Sequence, residues 1–188
     1  MRILLKIFIL ILSMQSIVKA DNIGDFEIEG ISVGDTALAF FEKKEIDTKK
    51  KIYFPKSKKF FQITMNGNFL EYDAITITLK ENDNNYIIYQ ITGVLEFPNN
   101  IKKCFLKQKE IKEELSKTFP NIKSSSYDFI FPQDESGRSK AAVSDFELND
   151  GEVRVWCSDW SLENYEDNVQ VSLSNKEFQD FIVNEAYN

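Results

Sequence analysis

A chain of 188 residues with 30 acidic against 23 basic side chains is too acidic for general nucleic-acid binding, which needs basic surface to neutralise phosphates. Its 16 Phe and 13% aromatic content argue against disorder. It has no histidine, which excludes Ser-His-Asp and Cys-His nucleophile systems and His-ligated zinc.

In chain order, the first twenty residues read as a secretory signal peptide. Arg2 and Lys6 give a positive start, Ile7 to Leu12 an apolar run, and Val18-Lys19-Ala20 a cleavage site before Asp21. The apolar run is short for a membrane span and no second one follows, so no transmembrane segment is expected after cleavage. The expectation is therefore a signal peptide over 1–20 and a single exported α+β domain over 21–188, periplasmic or secreted. The signal holds three of the basic residues (Arg2, Lys6, Lys19), leaving 20 cations against 30 acids in the exported part, a net charge of −10.

Ser32 and Asp35 fit a capping box opening a short helix, with Val33, Ala37, Leu38 and Phe41 at helical spacing. Lys43 to Lys59 reads as a lysine-rich loop in which Pro55 discourages regular structure. Three strands follow, at Phe60–Met65, Asp73–Leu79 and Tyr86 onward to Phe97, separated by Asn/Asp/Gly turns in the manner of an antiparallel meander. A helix from about Asn100 to Phe119 has Ile101, Cys104, Phe105, Gln108, Ile111, Leu115 and Phe119 on one face. Then come a strand at Tyr127–Phe131, strands at Ala142–Leu148 and Glu152–Cys157, a strand at Val169–Leu173, and a terminal helix opened by a second capping box, Ser174 to Glu177. Phe178, Phe181 and Ile182 share one face of that helix. This order predicts an antiparallel sheet with helices packed on one face, as two α-β-β-β units plus a C-terminal helix.

Two cysteines in an oxidising compartment are most simply a disulfide. Cys104 falls on the apolar helix face and Cys157 alternates with Val153 and Val155, so both point into one layer. No C-x-x-C spacing favours a redox or metal pair.

Candidate chemistry is sparse. No glycine pattern cradles phosphate, no cofactor or metal is implied, and no carboxylate pair is singled out as catalytic. Exposed Trp, Tyr and Arg are the residue types of protein-binding hot spots, which makes Arg154, Trp156, Trp160 and Tyr165 the candidate interaction surface. The acids around Trp160, from Asp159 to Asp167, lack the spacing of a calcium loop. A candidate basic patch comprises Lys43, Lys44, Lys49, Lys50, Lys51, Lys56, Lys58 and Lys59, able to contact an anionic surface or to act only as solvated charge. Asp134-Glu-Ser-Gly-Arg138 reads as a turn with Gly137 at positive φ. The expected function is a non-catalytic binding protein engaging another envelope or secreted protein. The alternative is a carboxylate-based hydrolase acting on envelope or external polymer.

Glu29-Gly-Ile-Ser-Val-Gly-Asp35, Tyr72-Asp-Ala, Cys104 with its helix, Ser136-Gly137 and Cys157-Ser-Asp-Trp160 together resemble small exported proteins of AT-rich marine alphaproteobacterial genomes, a resemblance that implies export and no particular activity. Gly30-Ile-Ser and the short helix after it are similar to BamE/SmpA-like outer-membrane assembly lipoproteins, whose lipobox cysteine has no counterpart here. The α-β-β-β layout with a disulfide also resembles secreted β-lactamase-inhibitor modules, at the level of fold.

Overall fold

The computed structural model describes residues 22–118 and 120–188. The signal-peptide reading of residues 1–20 and the helix-face position of Phe119 lie outside the described residues. A short helix α1 (Lys43–Thr48) is followed by four strands, β1 (Ile52–Phe54), β2 (Ser57–Met65), β3 (Ala74–Lys80) and β4 (Ile88–Glu96). A long helix α2 (Ile101–Thr118) is followed by four more, β5 (Lys123–Ile130), β6 (Lys140–Glu147), β7 (Gly151–Asp159) and β8 (Asn168–Asn175), and α3 (Lys176–Asn184) closes the chain.

All eight strands form one antiparallel sheet in the order β1-β2-β3-β4-β8-β7-β6-β5. Each unit is thus a helix followed by a four-strand meander; the first gains β1, which the sequence pattern does not predict, and the second has the four strands read after α2. The units join through their last strands, where Gly93 of β4 pairs with Val171 of β8. The α+β class and the terminal helix match the prediction.

Strand periodicity decides which face is which. Ile63, Met65, Ile75, Ile77, Val155 and Val169 are fully buried at alternate positions of their strands and build the main core. Ile46 of α1 and Cys104 of α2 join that cluster, so these two helices cover one face. At about 1.5–3 kcal/mol for each large apolar side chain withdrawn from water, this layer dominates the fold's stability. Cys104 and Cys157 are disulfide-bonded with their Cα atoms 5.8 Å apart, tying α2 to β7.

The terminal helix lies on the other face. Phe60 and Phe61 are neighbours in β2 and both are buried, one on each side of the sheet. Phe61 belongs to the main core, whereas Phe60 meets Phe178 and Phe181 of α3 with ring centroids 5.5 and 4.8 Å apart. Asn175 caps α3, its side chain accepting from the Phe178 backbone N–H at 2.9 Å.

Two local expectations change. The segment Lys43–Lys59 is not a loop: it contains α1, β1 and the start of β2. Ile46 anchors α1 in the core, and Pro55 sits in the turn between β1 and β2, where its missing N–H costs nothing. The helix expected after Ser32 shrinks to a single 3₁₀ turn over Ala37–Ala39, capped by Thr36. Asp35 does accept from the Ser32 backbone N–H, at 2.9 Å, but the Ser32 hydroxyl donates to the Phe26 carbonyl instead.

Gly93 is dictated by close approach. A Cβ there would sit 2.5 Å from the Tyr72 ring, which lies over this part of β4. Burial pushes the Tyr72 hydroxyl up to about 12, with Glu71 and Glu29 adding to the shift.

Candidate functional site

Strand β7 alternates between the two faces. Val153, Val155 and Cys157 enter the core, so Glu152, Arg154 and Trp156 face the side that carries α3. Val143 pairs with Trp156 and, one strand further out, Tyr127 pairs with Val143 and Phe129 with Ala141. Between this surface and α3 runs a groove of about 580 Å³. Its aromatic wall is Tyr127, Phe129, Phe131 and Trp156, and Ile182 and Tyr187 face it from the terminal segment. Short polar side chains, including Gln90, Ser172 and Ser174, line it toward the middle of the sheet.

Arg154 is the charged centre of the groove. Its Nε donates to Asp145 Oδ1 at 2.7 Å and its Nη2 to Asp145 Oδ2 at 3.1 Å, a bidentate pair. Glu152 Oε1 lies 3.1 Å from the same Nη2. Burial lifts the Glu152 carboxyl above its ordinary value; Arg154 opposes the shift, and Asp145 and Glu147 add to it. Burial works against the Arg154 charge too, but the hydrogen bond and charges of Asp145 and Glu152 outweigh it. Two acids thus share one cation.

At the groove's outer end three rings stack. Trp160 lies between Phe131, 4.0 Å away with planes 16° apart, and Tyr165, 4.4 Å away and 21° apart. Phe129 meets Phe131 edge-on at 5.4 Å. The loops carrying these rings are held by Asp134, a buried carboxylate with no ion pair among the described residues. Its Oδ1 accepts from the Ser136 N–H and hydroxyl at 2.9 and 2.6 Å, and its Oδ2 from the Ser139 N–H at 2.8 Å and the Ser161 hydroxyl at 2.6 Å. These donors hold the Asp134 carboxyl well below the usual carboxylate range. Gly137 has φ +68°, as the turn requires. Asp134 therefore links the β5–β6 loop to the segment after β7, and so positions Phe131 against Trp160.

Of the four predicted surface residues, Arg154 and Trp156 line the groove, while Trp160 and Tyr165 continue it through Phe131. Sequence reasoning missed Tyr127, Phe129 and Phe131 as part of this surface, although their strict alternation was a usable signal. It could not have found Ile182 and Tyr187, which depend on α3 crossing to this face.

The basic patch is spread over α1, β1 and β2. Lys43 pairs with Asp47, Lys49 lies 3.9 Å from Glu45, Lys51 3.1 Å from Glu81 and Lys59 2.8 Å from Glu185. Lys51 and Lys58 also lie over the Phe61 and Tyr53 rings, at 4.1 and 5.8 Å. Among the described residues Lys44, Lys50, Lys56 and Lys58 form no ion pair. Half of the patch is thus locally neutralised.

A second hollow, about 990 Å³, lies on the opposite face between α2 and the sheet, with Val153, Val171 and Leu173 on one side and Ile111 and Leu115 on the other. Among the described residues no group of three or more acidic or cysteine side chains is arranged to hold a metal ion, and no helix is long and apolar enough to cross a membrane. Compared with protein-family models, curated proteins and solved structures, the chain matches none.

Proposed function

We propose that this chain is an exported periplasmic or secreted binding protein, and that the groove between α3 and β5–β7 receives another envelope or secreted protein without catalysis. One observation carries the reading: aromatic rings left 44–47% exposed, Tyr127, Phe129 and Tyr165, extend from a part-exposed arginine fixed by two carboxylates to the groove's outer end. Rings held by stacking and a pre-oriented guanidinium lose little entropy on binding, which is why Trp, Tyr and Arg dominate interface hot spots. The disulfide supports export, because such bonds persist in oxidising compartments. Kinship with the small exported proteins it resembles is part of the same proposal.

The test is affinity capture from the native envelope with Phe129→Ser and Tyr165→Ala, which change half-exposed rings and leave the core alone. Each should reduce recovery of the partner about tenfold or more while the disulfide still forms. Undiminished recovery with both would refute the groove.

A second reading, a carboxylate-based hydrolase, is favoured by the raised Glu152 carboxyl lining a cleft. Against it stands the bidentate commitment of Asp145 to Arg154. If the chain degrades an envelope or external polymer and Glu152→Gln abolishes that activity, the hydrolase reading replaces the binding one.

A further inference from the structure

The outer strand β5 is an open edge. All eight of its residues are exposed, its register with β6 runs unbroken from Lys123↔Glu147 to Ile130↔Lys140, and it contains no proline. Among the described residues no strand pairs with its far side. Alternate N–H and C=O groups of such a strand point outward, and proteins ordinarily blunt that hazard with a bulge, a proline, lysines or brevity. Only Lys123, at the very start, serves that purpose here, and it is already 2.8 Å from Glu147.

The sequence of β5 suits one occupant. Its first half is small, Ser124, Ser125 and Ser126; its second half is bulky, Tyr127, Asp128, Phe129 and Ile130. Antiparallel pairing of the strand with itself lays small against bulky. The geometry points to a second copy of this chain, docked through β5 about a two-fold axis at Tyr127.

Residues directly opposite in an antiparallel ladder share a face, which limits the registers open to a symmetric pair. With Tyr127 opposite its own copy, Phe129 falls against Ser125, Ile130 against Ser124, and Asp128 against Ser126. The last pairing supplies charge complementarity. Lys112 of α2 donates through Nζ to the Ser126 hydroxyl at 3.3 Å, so Asp128 meets the Lys112 ammonium of the other copy, and does so twice by symmetry. Neither Lys112 nor Asp128 has an ion pair among the described residues. Moving the axis to Asp128 sets that acid against its own copy. Moving it to Ser126 takes Asp128 away from the serine that Lys112 holds and puts Phe129 against Lys123. The preferred register joins the two sheets into one of sixteen strands and places the two grooves on the same side of it. This pairing does not depend on what the groove binds.

Sedimentation of the disulfide-bonded full chain over a concentration series tests it. A dimer should form, Asp128→Lys and Lys112→Glu should each weaken it about tenfold, and the two together should restore it, since the charge pair is exchanged. Tyr127→Cys should form a disulfide to its own copy at the axis, with Cys104 and Cys157 still joined. A monomer up to about 1 mM, where association would be negligible, overturns the proposal. So does a dimer that the charge exchange fails to restore, one in which Tyr127→Cys does not cross-link, or protection of the β5 amides only when a different protein is present.

Discussion

At one end of the sheet β1 spans three residues, breaks register between Tyr53 and Phe54, and is flanked by Lys51 and Pro55. At the other, β5 keeps an eight-residue register and exposes Tyr127, Phe129 and Ile130. The β1 end is also clamped from both faces: α1 seats Ile46 in the core on one side, and Phe60 meets the rings of α3 on the other. The β5 end has a long edge and, among the described residues, no helix covering its aromatic face; instead a disulfide and a buried aspartate hold its supports in place. The two meanders have the same topology, so the contrast comes from side chains. One end has a short, interrupted edge and the other a long, regular edge beside exposed aromatic rings.

Breaking each end in turn separates these roles. Phe60→Ala removes the centre of the aromatic clamp and should cost about 4 kcal/mol in denaturant unfolding, leaving the groove's aromatic wall in place once folded. Replacing both cysteines by Ala should cost about 3 kcal/mol, with earlier hydrogen exchange in α2 and β7 than in β2 and β3. Asp134→Asn should have a smaller, local effect: faster exchange in the β5–β6 loop and a weaker Trp160 signal in near-ultraviolet circular dichroism. Because the folded Asp134 carboxyl is depressed, its stabilisation is complete above the unfolded value of about 3.9 and is lost as pH falls below it. Unfolding measured against pH should therefore show an acid-dependent component that Asp134→Asn lacks. The smallest effect is expected from Lys44→Gln, Lys50→Gln and Lys58→Gln combined, within about 0.5 kcal/mol of the parent, since these lysines are surface charges without ion pairs among the described residues.

What the sequence made legible follows from local period. Ile75, Ile77 and Leu79 alternate with threonines, and β3 was read within a residue or two of its bounds. The same logic put Cys104 and Cys157 in one layer, where they are joined. The losses came where one residue had to stand for a whole pattern. In α1 a single buried Ile46 sits among lysines, too little for a helical stripe. Strand β5 opens with Lys123 and three serines, which carry no apolar alternation, and forms because β6 pairs with it along its length. The crossing of α3 to the other face rests on Phe60, whose neighbour Phe61 is equally apolar, so alternation could not say which of them faced inward. In the site, Arg154 and Trp156 were legible from their alternation with Cys157. Asp134 reads as an ordinary turn because Ser161, the donor that ties it to the segment after β7, reaches it only through the tertiary fold.

The difference between the two ends can be read directly by site-specific photo-crosslinking in the native envelope. A probe at Tyr165, beside the groove and off the β5 edge, should capture another exported protein, while a probe at Lys50, at the β1 end, should capture none. Capture at Lys50 with none at Tyr165 would contradict the account and assign the binding role to the lysine-rich end.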